Sequence, residues 1–194
     1  MNFLNVQEAI DQRRAVRSYT AEVPSNEVIA EVARLALEAP SAFNIQMRDL
    51  VVVRDTEQKQ KLFDASGQQQ FLDAPVVFVC VGRSEVMPDD AEDILGAERV
   101  AGIGGIRSRM SESALREAGL KDALLLAGFL LVAAQSVGLA TSPTTGWDEE
   151  KVKAAIGLAG RSDRSIGLVV AAGYPNEAPT HPGRAANRLV AESF

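Results

Sequence analysis

The segment from Asp122 to Val137 is the strongest constraint that this sequence places on a fold. It predicts one long helix that is apolar on nearly every side, and Gly138 follows as a terminator. Its most apolar part, residues 123–134, is too short to cross a bilayer, which needs about 20 residues. We therefore expect a central core helix around which the rest of the chain packs.

The other predicted elements alternate between helix and strand in a way that favours a single α+β domain. Asn5 followed by Glu8 is typical of a capping box at the start of the first helix. Pro40 must end the second helix, which begins at Pro24-Ser25, because the residue before proline avoids the helical conformation. The predicted helices cover residues 5–14, 24–39, 56–65 and 148–157, and the predicted strands cover residues 50–53, 74–82 and 166–173.

Composition excludes several classes of function. The chain has 26 acidic and 20 basic residues, a net charge of −6, which argues against nucleic-acid binding. Its single cysteine, Cys80, permits no intrachain disulfide and indicates a reducing, cytoplasmic location. Cys80 also lies in an apolar strand, so we expect a packed thiol and not a nucleophile. With His181 as the only histidine, a catalytic zinc site and a Ser-His-Asp triad are both disfavoured.

A cluster of cations, Arg13, Arg14 and Arg17, stands at the end of the first helix. Guanidinium groups bind phosphate in a bidentate manner and stay charged at all working pH values, which favours an anion site. Cations at a helix C-terminus also interact favourably with the helix dipole, by about 0.3–1 kcal/mol each. Both interpretations remain open on the local pattern.

Two loops carry further candidates for ligand contact. Residues 39–46 present Ser41, Asn44 and Gln46, which can hydrogen-bond sugar-like hydroxyls or a heterocycle, or can cap the loop itself. Residues 140–148 are small and include Gly146, so their backbone can approach a flat ligand, or can form a turn that caps the helix at Asp148. Residues 102–105 follow no predicted strand and lack a phosphate-loop pattern. Polar amides and arginines without a nucleophile or a metal set are typical of a protein that leaves the chemistry to an organic cofactor.

Taken in order, four segments resemble the nitroreductase family of flavin-dependent oxidoreductases. Arg13-Arg-Ala-Val-Arg-Ser-Tyr19 is similar to the family's Arg-Arg-Ser-x-Arg-x-Phe. Residues 40–46 are similar to Pro-Ser-x-x-Asn-x-Gln, and residues 138–148 to Gly-Leu-Gly-x-x-Pro-x-x-Gly-Phe-Asp. Residues 184–190 are similar to the closing Arg-x-Pro-Leu-Glu-Glu-Val. The resemblance covers the chain outside about residues 83–118.

The resemblance implies an α+β fold with a central antiparallel sheet flanked by helices, in an intertwined homodimer with FMN at the interface. Residues 1–173 would form the flavin-binding domain, with 83–118 as a variable excursion over the active site. Residues 174–194 would form a C-terminal extension exchanged between subunits. The implied cofactor-binding residues are Arg13, Arg14, Ala15, Arg17, Asn44, Gln46, Pro143, Thr144, Thr145, Gly146 and Arg184, with Pro40, Ser41 and Ala42 of the partner subunit.

The implied activity is a ping-pong transfer of hydride from NADH or NADPH, through flavin N5, to a nitroaromatic, a quinone or an activated alkene. No side chain is expected to be catalytic, and the backbone N–H groups of Thr145 and Gly146 would face N5. Two alternatives are a non-catalytic flavin-binding carrier or sensor, and a flavin-fragmenting or dehalogenating relative of the same fold.

The chain departs from the family pattern at four places. Ala15 replaces a serine, Met47-Arg48 replaces Pro-Trp, and Gln68-Gln-Gln70 stands where a lysine or asparagine is common. Pro182 replaces a cation two residues before Arg184, and the neighbouring His181 is a candidate substitute.

Overall fold

A computed structural model describes residues 3–185 and Arg188. The helices are α1 (Val6–Gln12), α2 (Asn26–Leu37), α3 (Thr56–Ser66), α4 (Gln70–Asp73), α5 (Ala91–Leu95), α6 (Ala97–Arg107), α7 (Glu112–Ser136) and α8 (Glu149–Ala155). The strands are β1 (Arg48–Val53), β2 (Val76–Arg83), β3 (Ala140–Thr144) and β4 (Arg164–Gly173), and a 3-10 turn covers Ala42–Asn44.

The four strands form one antiparallel sheet in the order β1-β2-β4-β3, which confirms the α+β fold with a small antiparallel sheet. The two central strands, β2 and β4, pair from Val76↔Ala172 to Arg83↔Arg164, with a register shift between Cys80 and Val81. β1 and β3 are the two edges. Pro143 is tolerated in β3 because an edge strand leaves one side without ladder partners.

Both faces of the sheet are covered by helices, so the structure has three layers. Alternate residues of β2 point to opposite faces. Phe78 and Cys80 pack against α2 and α7, whereas Val77 and Val79 pack against α3, α4 and α8. This double burial explains why β2 is a continuous apolar run. It also confirms Cys80 as a packed thiol, since the side chain is fully buried, and this burial raises the pKa of Cys80 to about 12.

Two predicted elements were wrong in extent or type. The central helix begins at Glu112, capped by Ser111, and not at Asp122. Its first turns bury only a narrow stripe that includes Leu115 and Gly119, so their apolar periodicity is weak. Residues 140–144, interpreted from the sequence as loop, form strand β3, because their backbone pairs with the apolar β4 despite their small and polar side chains.

The segment that follows α1 connects the edge strand β3 to the start of the C-terminal tail. The Val16 N–H donates to the Thr141 carbonyl at 3.0 Å. Further on, the Thr20 N–H donates to the Tyr174 carbonyl and the Asn176 N–H to the Ser18 carbonyl, both at 2.9 Å. None of the described helices is long and apolar enough to span a membrane.

Candidate functional site

Three arginines lie close together beside β3. Arg13 immediately follows α1 and is half-buried, and Arg184 approaches it from the C-terminal tail. The pKa of Arg13 is lowered, first by burial and then by the positive charges of Arg184 and Arg14. Within the described residues, no carboxylate forms a salt bridge with any of the three. Like charges that repel one another without a counter-ion are an arrangement that an anion stabilises.

Arg14 differs from its neighbour in what it contacts. Its Nη1 donates to the carbonyl oxygens of Asp11 and Arg13, both at 2.7 Å. These carbonyls belong to the end of α1, so Arg14 caps the helix as the helix-dipole interpretation requires. The helix-dipole interpretation therefore applies to Arg14, which bonds to the helix end, and the anion-site interpretation applies to Arg13, which lies near Arg184.

The backbone of the arginine segment runs along β3. Ala15 forms a parallel bridge with Thr141, and Arg17 is exposed just beyond. At the other end of β3, the chain leaves the sheet at Thr145 and Gly146, which are both exposed. The structure thus places two of the four sequence segments, together with Arg184, along one edge of the sheet.

The glutamine run also reaches this edge. The Gln70 side-chain amide donates to the Thr144 hydroxyl at 3.3 Å and to the Gln68 side-chain oxygen at 2.9 Å. Gln70 is 6% exposed and lies in the short helix α4, which the sequence did not predict. Its amide nitrogen is therefore engaged within the chain.

The loop at residues 40–46 holds an unusual backbone conformation. Phe43, Asn44 and Gln46 all have φ between 53° and 59°, a left-handed region that is costly for residues other than glycine. Inside the loop, the Ser41 hydroxyl accepts the Gln46 N–H at 3.0 Å, and the Gln46 amide donates to Asn44 at 3.4 Å. Such strain persists only when the surroundings enforce it, and it is common where a loop contacts a ligand.

Buried charges behind this loop enforce its shape. The Asp122 carboxylate accepts the Met47 N–H at 3.0 Å, and Arg48 Nη2 donates to the carbonyls of Leu37 and Ala39. Burial raises the pKa of Asp122, although the Met47 N–H and the charges of Arg48 and Arg107 oppose the shift. Arg48 Nε and Nη1 have no partner among the described residues.

Sequence reasoning missed Asp122 and Arg107 and noted Arg48 only as a departure. An acid at the start of the apolar stretch of α7 was the available signal, because a buried carboxylate requires a partner. A cavity of about 360 Å³ lies beside these groups, between Ala42 and Met47 on one side and Met110 and Ala118 on the other. It separates the loop from the segment that links α6 to α7.

The loop and the arginine cluster lie at diagonally opposite corners of the sheet. Arg48, at the start of β1, pairs with Gly82 on β2, and Gly82 pairs with Ser165 on β4. On the other side of β4, Thr141 of β3 pairs with Ala172. Ser165 and Ala172 are seven residues apart on β4, and β1 and β3 form the two opposite edges of the sheet. At about 3.4 Å per residue and 4.8 Å per strand, the separation is on the order of 25–30 Å. One chain alone therefore does not bring the four segments together.

In the tail, the His181 Nδ1 accepts the Gly183 N–H at 2.9 Å. This contact lies within the tail itself, and the role of His181 as a substitute cation stays a prediction. The predicted exchange of the C-terminal extension concerns residues up to 194, and most of those after residue 185 lie outside the described part of the chain.

Comparison with known proteins identifies the class. The sequence matches the Nitroreductase family over residues 10–174. It is 32% identical over 189 residues to a Thermus thermophilus protein named NADH dehydrogenase, covering 92% of this chain and 91% of that one. It is 28% identical over 140 residues to the FMN reductase (NAD(P)H) of Bacillus subtilis, covering 70% of this chain and 52% of that one.

A solved structure described as a nitroreductase in complex with FMN, from Exiguobacterium sibiricum, has the same fold. The TM-score is 0.88 at 22% identity, and the match covers 100% of this chain and 99% of that one. The chain belongs to the nitroreductase family, as the four sequence motifs indicated.

Proposed function

We propose that the protein is an FMN-dependent oxidoreductase that uses NADH or NADPH to reduce an organic acceptor such as a nitroaromatic, a quinone or an activated alkene. The observation that carries the proposal is the cluster of Arg13, Arg14 and Arg184, which have no salt-bridge partner among the described residues and lie beside β3. Family membership and the relatives named for FMN or NAD(P)H support the same assignment.

The residues present fit a flavin nucleotide. Its phosphate would supply the negative charge that is missing beside Arg13 and Arg184, and Arg14 stabilises the end of α1 next to them. Arg17 is exposed next to the cluster and would supply positive charge on the pyrimidine side of the ring, as the resemblance implies. Ala15, Pro143 and Thr144 provide backbone and small side chains along the β3 edge, where a flat ring can approach closely.

We further propose a homodimer in which each site draws on two chains. The corner with Arg13–Arg17, Thr141–Gly146 and Arg184 would come from one subunit. Pro40, Ser41 and Ala42 would come from the other, as the resemblance implies, and Asn44 and Gln46 of the same loop would come with them, because the loop and the arginine cluster of one chain are about 25–30 Å apart.

An uncovered apolar face of α7 supports the dimer. In the single chain, the exposed fractions of Leu124, Leu125 and Phe129 are 44–50%. On the neighbouring α1, Val6 and Ile10 are 55–69% exposed. Large apolar side chains grouped on packed helices are typical of a face that a partner covers. A second copy of this chain is the partner that also completes the site.

When bound, FMN would supply the two-electron chemistry by accepting hydride from NAD(P)H and delivering it to the acceptor. The chain's own part is to bind, orient and stabilise charge. The chain leaves the sheet at Thr145 and Gly146, which are exposed, and the N–H groups of these two residues would serve as donors near the ring. Arg17 would provide positive charge beside the bound flavin. Asp122 and Arg48 act at a distance by holding the strained loop 40–46 in one shape.

The segment at residues 83–118 would cover the acceptor side of the site. The cavity between Ala42 and Met110 adjoins the loop that we assign to the flavin. Six of its ten lining residues are apolar, and the other four are charged, with Arg107 and Asp122 buried beside Glu117 and Lys121, a mixture that fits a flat organic acceptor with polar substituents.

A flavin carrier or sensor is the second candidate. The engaged amide of Gln70 and the absent hydroxyl at Ala15 both reduce the polar contacts available to a reactive ring. Anaerobic mixing with NADH and NADPH separates the two candidates, because an oxidoreductase bleaches its bound flavin within seconds and a carrier does not.

The test of the main proposal is FMN titration of the apoprotein, with Arg13→Ala as the variant and Arg34→Ala as the matched control. Arg34 is an exposed arginine on α2 that pairs with Glu31 and Glu38 and belongs to none of the proposed site segments. Loss of a charged hydrogen bond of about 1.5–3 kcal/mol predicts a Kd for FMN roughly 10- to 100-fold higher in Arg13→Ala alone. A colourless protein that binds no added FMN, or equal affinity in both variants, would contradict the proposal.

A further inference from the structure

The first residues of the C-terminal tail lie antiparallel to the arginine segment. Tyr19 pairs with Pro175, and backbone hydrogen bonds join Thr20 to Tyr174 and Asn176 to Ser18. One residue further, the Glu177 carboxylate accepts two backbone N–H groups through the same oxygen. The Arg17 N–H donates at 2.5 Å and the Ser18 N–H at 3.1 Å. We call Glu177 with these two amides the tail anchor.

The tail anchor joins two parts of the chain that are 160 residues apart in sequence. On one side it bonds to the backbone of Arg17 and Ser18, in the segment that follows α1. On the other it holds the tail seven residues before Arg184, where Gly183 has a positive φ of 79° and turns the chain. Residues 178–185 form no helix or strand of their own, so Glu177 is the last side chain in the described tail that bonds to the body of the domain.

A carboxylate is an unexpected neighbour for a phosphate site. Through its charge alone, Glu177 would oppose an incoming phosphate. Its bonds, however, go to backbone amides and leave the guanidinium groups of Arg13 and Arg184 without a carboxylate partner among the described residues. The geometry therefore separates two roles for Glu177, one through charge and one through position, and the two predict opposite signs.

We propose that Glu177 is a positioning residue that fixes the start of the tail so that Arg184 reaches the Arg13 cluster and completes the phosphate site. This inference rests on the proposed FMN-binding function and extends it to a residue outside the four motifs. A tail fixed at Glu177 confines the Arg184 guanidinium to a small volume around Arg13. A tail held only by its backbone bonds up to Asn176 spreads the same group over a larger one, which lowers its effective concentration at the phosphate.

This mechanism limits the size of the effect. Because Glu177 acts through Arg184, its removal cannot weaken FMN binding by more than the removal of Arg184 itself. We expect Glu177→Ala to raise the Kd for FMN about 3- to 10-fold, and Arg184→Ala to raise it at least as much. The double variant Glu177→Ala/Arg184→Ala should bind as Arg184→Ala does, because the anchor has nothing left to position.

Two conservative variants separate position from charge. Glu177→Gln keeps the length and one acceptor oxygen and loses the charge, so it should bind FMN within about twofold of the wild type. Glu177→Asp keeps the charge but is one methylene shorter, so it should lose the contacts and resemble Glu177→Ala. A role through charge predicts the reverse, with near-normal binding in Glu177→Asp and tighter binding in Glu177→Gln and Glu177→Ala.

Hydrogen–deuterium exchange on the flavin-free full-length protein provides a readout that does not depend on FMN. The amides of Arg17 and Ser18 should exchange faster in Glu177→Ala and Glu177→Asp than in the wild type, and Arg184→Ala should leave them protected. If the wild type binds no FMN, the proposed function fails while exchange still tests the anchor. Normal or tighter FMN binding in Glu177→Ala, or additive losses in the double variant, would overturn the positioning role.

Discussion

The backbone of α7 at Gly119 lies against the backbone of β2 at Gly82 and Arg83, so we predict that Gly119 tolerates no side chain. α7 crosses β2 where a methyl group on Gly119 would overlap the Arg83 carbonyl oxygen and lie 2.9 Å from the Arg83 carbonyl carbon and nitrogen. A methyl group on Gly82 would in turn lie 2.7 Å from the Gly119 backbone. All of these obstacles are backbone atoms, so no side-chain rotation relieves them.

The cost of Gly119→Ala follows from this geometry. To restore ordinary contact, the helix and the strand must separate by about 1 Å, which also loosens the packing on either side. Overpacking of this kind costs about 1–3 kcal/mol or more, and the rigid backbone on both sides places Gly119→Ala at the upper end. Alanine returns about 1 kcal/mol through its helix propensity. We expect a net loss of about 2 kcal/mol and a Tm lower by roughly 4–8 °C.

Urea unfolding followed by circular dichroism, at one fixed protein concentration, measures the loss. Gly102→Ala in α6 is the matched control, because a methyl group there meets no atom within 4 Å. The control should gain about 0.5–1 kcal/mol from helix propensity. If Gly119→Ala were as stable as the wild type or gained as much as the control, the close approach of α7 to β2 would be refuted.

Two further variants test the interface and the ion pairs. Phe129→Asp places a charge on the uncovered face of α7, so we expect a monomer that has also lost FMN, measured by light scattering and by flavin absorbance; a monomer with full flavin content would contradict the shared site. The Arg161 hydrogen bond lowers the pKa of Asp163 from 3.8 to about 2. Because the folded state favours the ionised form, this stabilisation is present above about pH 4 and is lost as the pH falls towards 2. Urea midpoints should therefore fall less steeply from pH 4 to pH 2 in Asp163→Asn than in the wild type, and equal slopes would exclude the ion pair as the cause.

Local signals predicted the elements that they govern. Asn5 and Glu8 form the capping box that their spacing indicates, and Asp148 caps α8 through the Lys151 N–H. Long-range pairing determined what the sequence did not reveal. β3 is a strand because its backbone pairs with β4, and its small residues carry no periodic signal of their own. The early start of α7 was missed because Gly119 and its polar neighbours weaken the apolar periodicity of its first turns. Packing against the sheet stabilises the helix there.

The candidate site shows the same division between local and long-range information. The motifs identified which residues belong together in this family, and Arg13, Arg184 and the β3 segment do lie along one edge. Their distance from residues 40–46 depends on the strand order β1-β2-β4-β3, which side-chain periodicity does not determine, because periodicity assigns residues to faces and not to neighbours. Asp122 illustrates the consequence. Its carboxylate accepts the N–H of Met47, which lies just before β1 and 75 residues away in sequence.

The strand order also explains why flavin binding and assembly should be inseparable in this protein. Since β1 and β3 are opposite edges, no motion of the loop within one chain brings residues 40–46 to Arg13 without dismantling the sheet between them. In the proposed site, a single chain would therefore offer FMN the arginine cluster and the β3 edge but not residues 40–46, whereas a pair of chains would offer two complete sites. In the proposed homodimer, FMN would contact groups from both copies, so its binding free energy would add to that of the interface, and the dimer formed through the apolar face of α7 would become more stable when flavin is present.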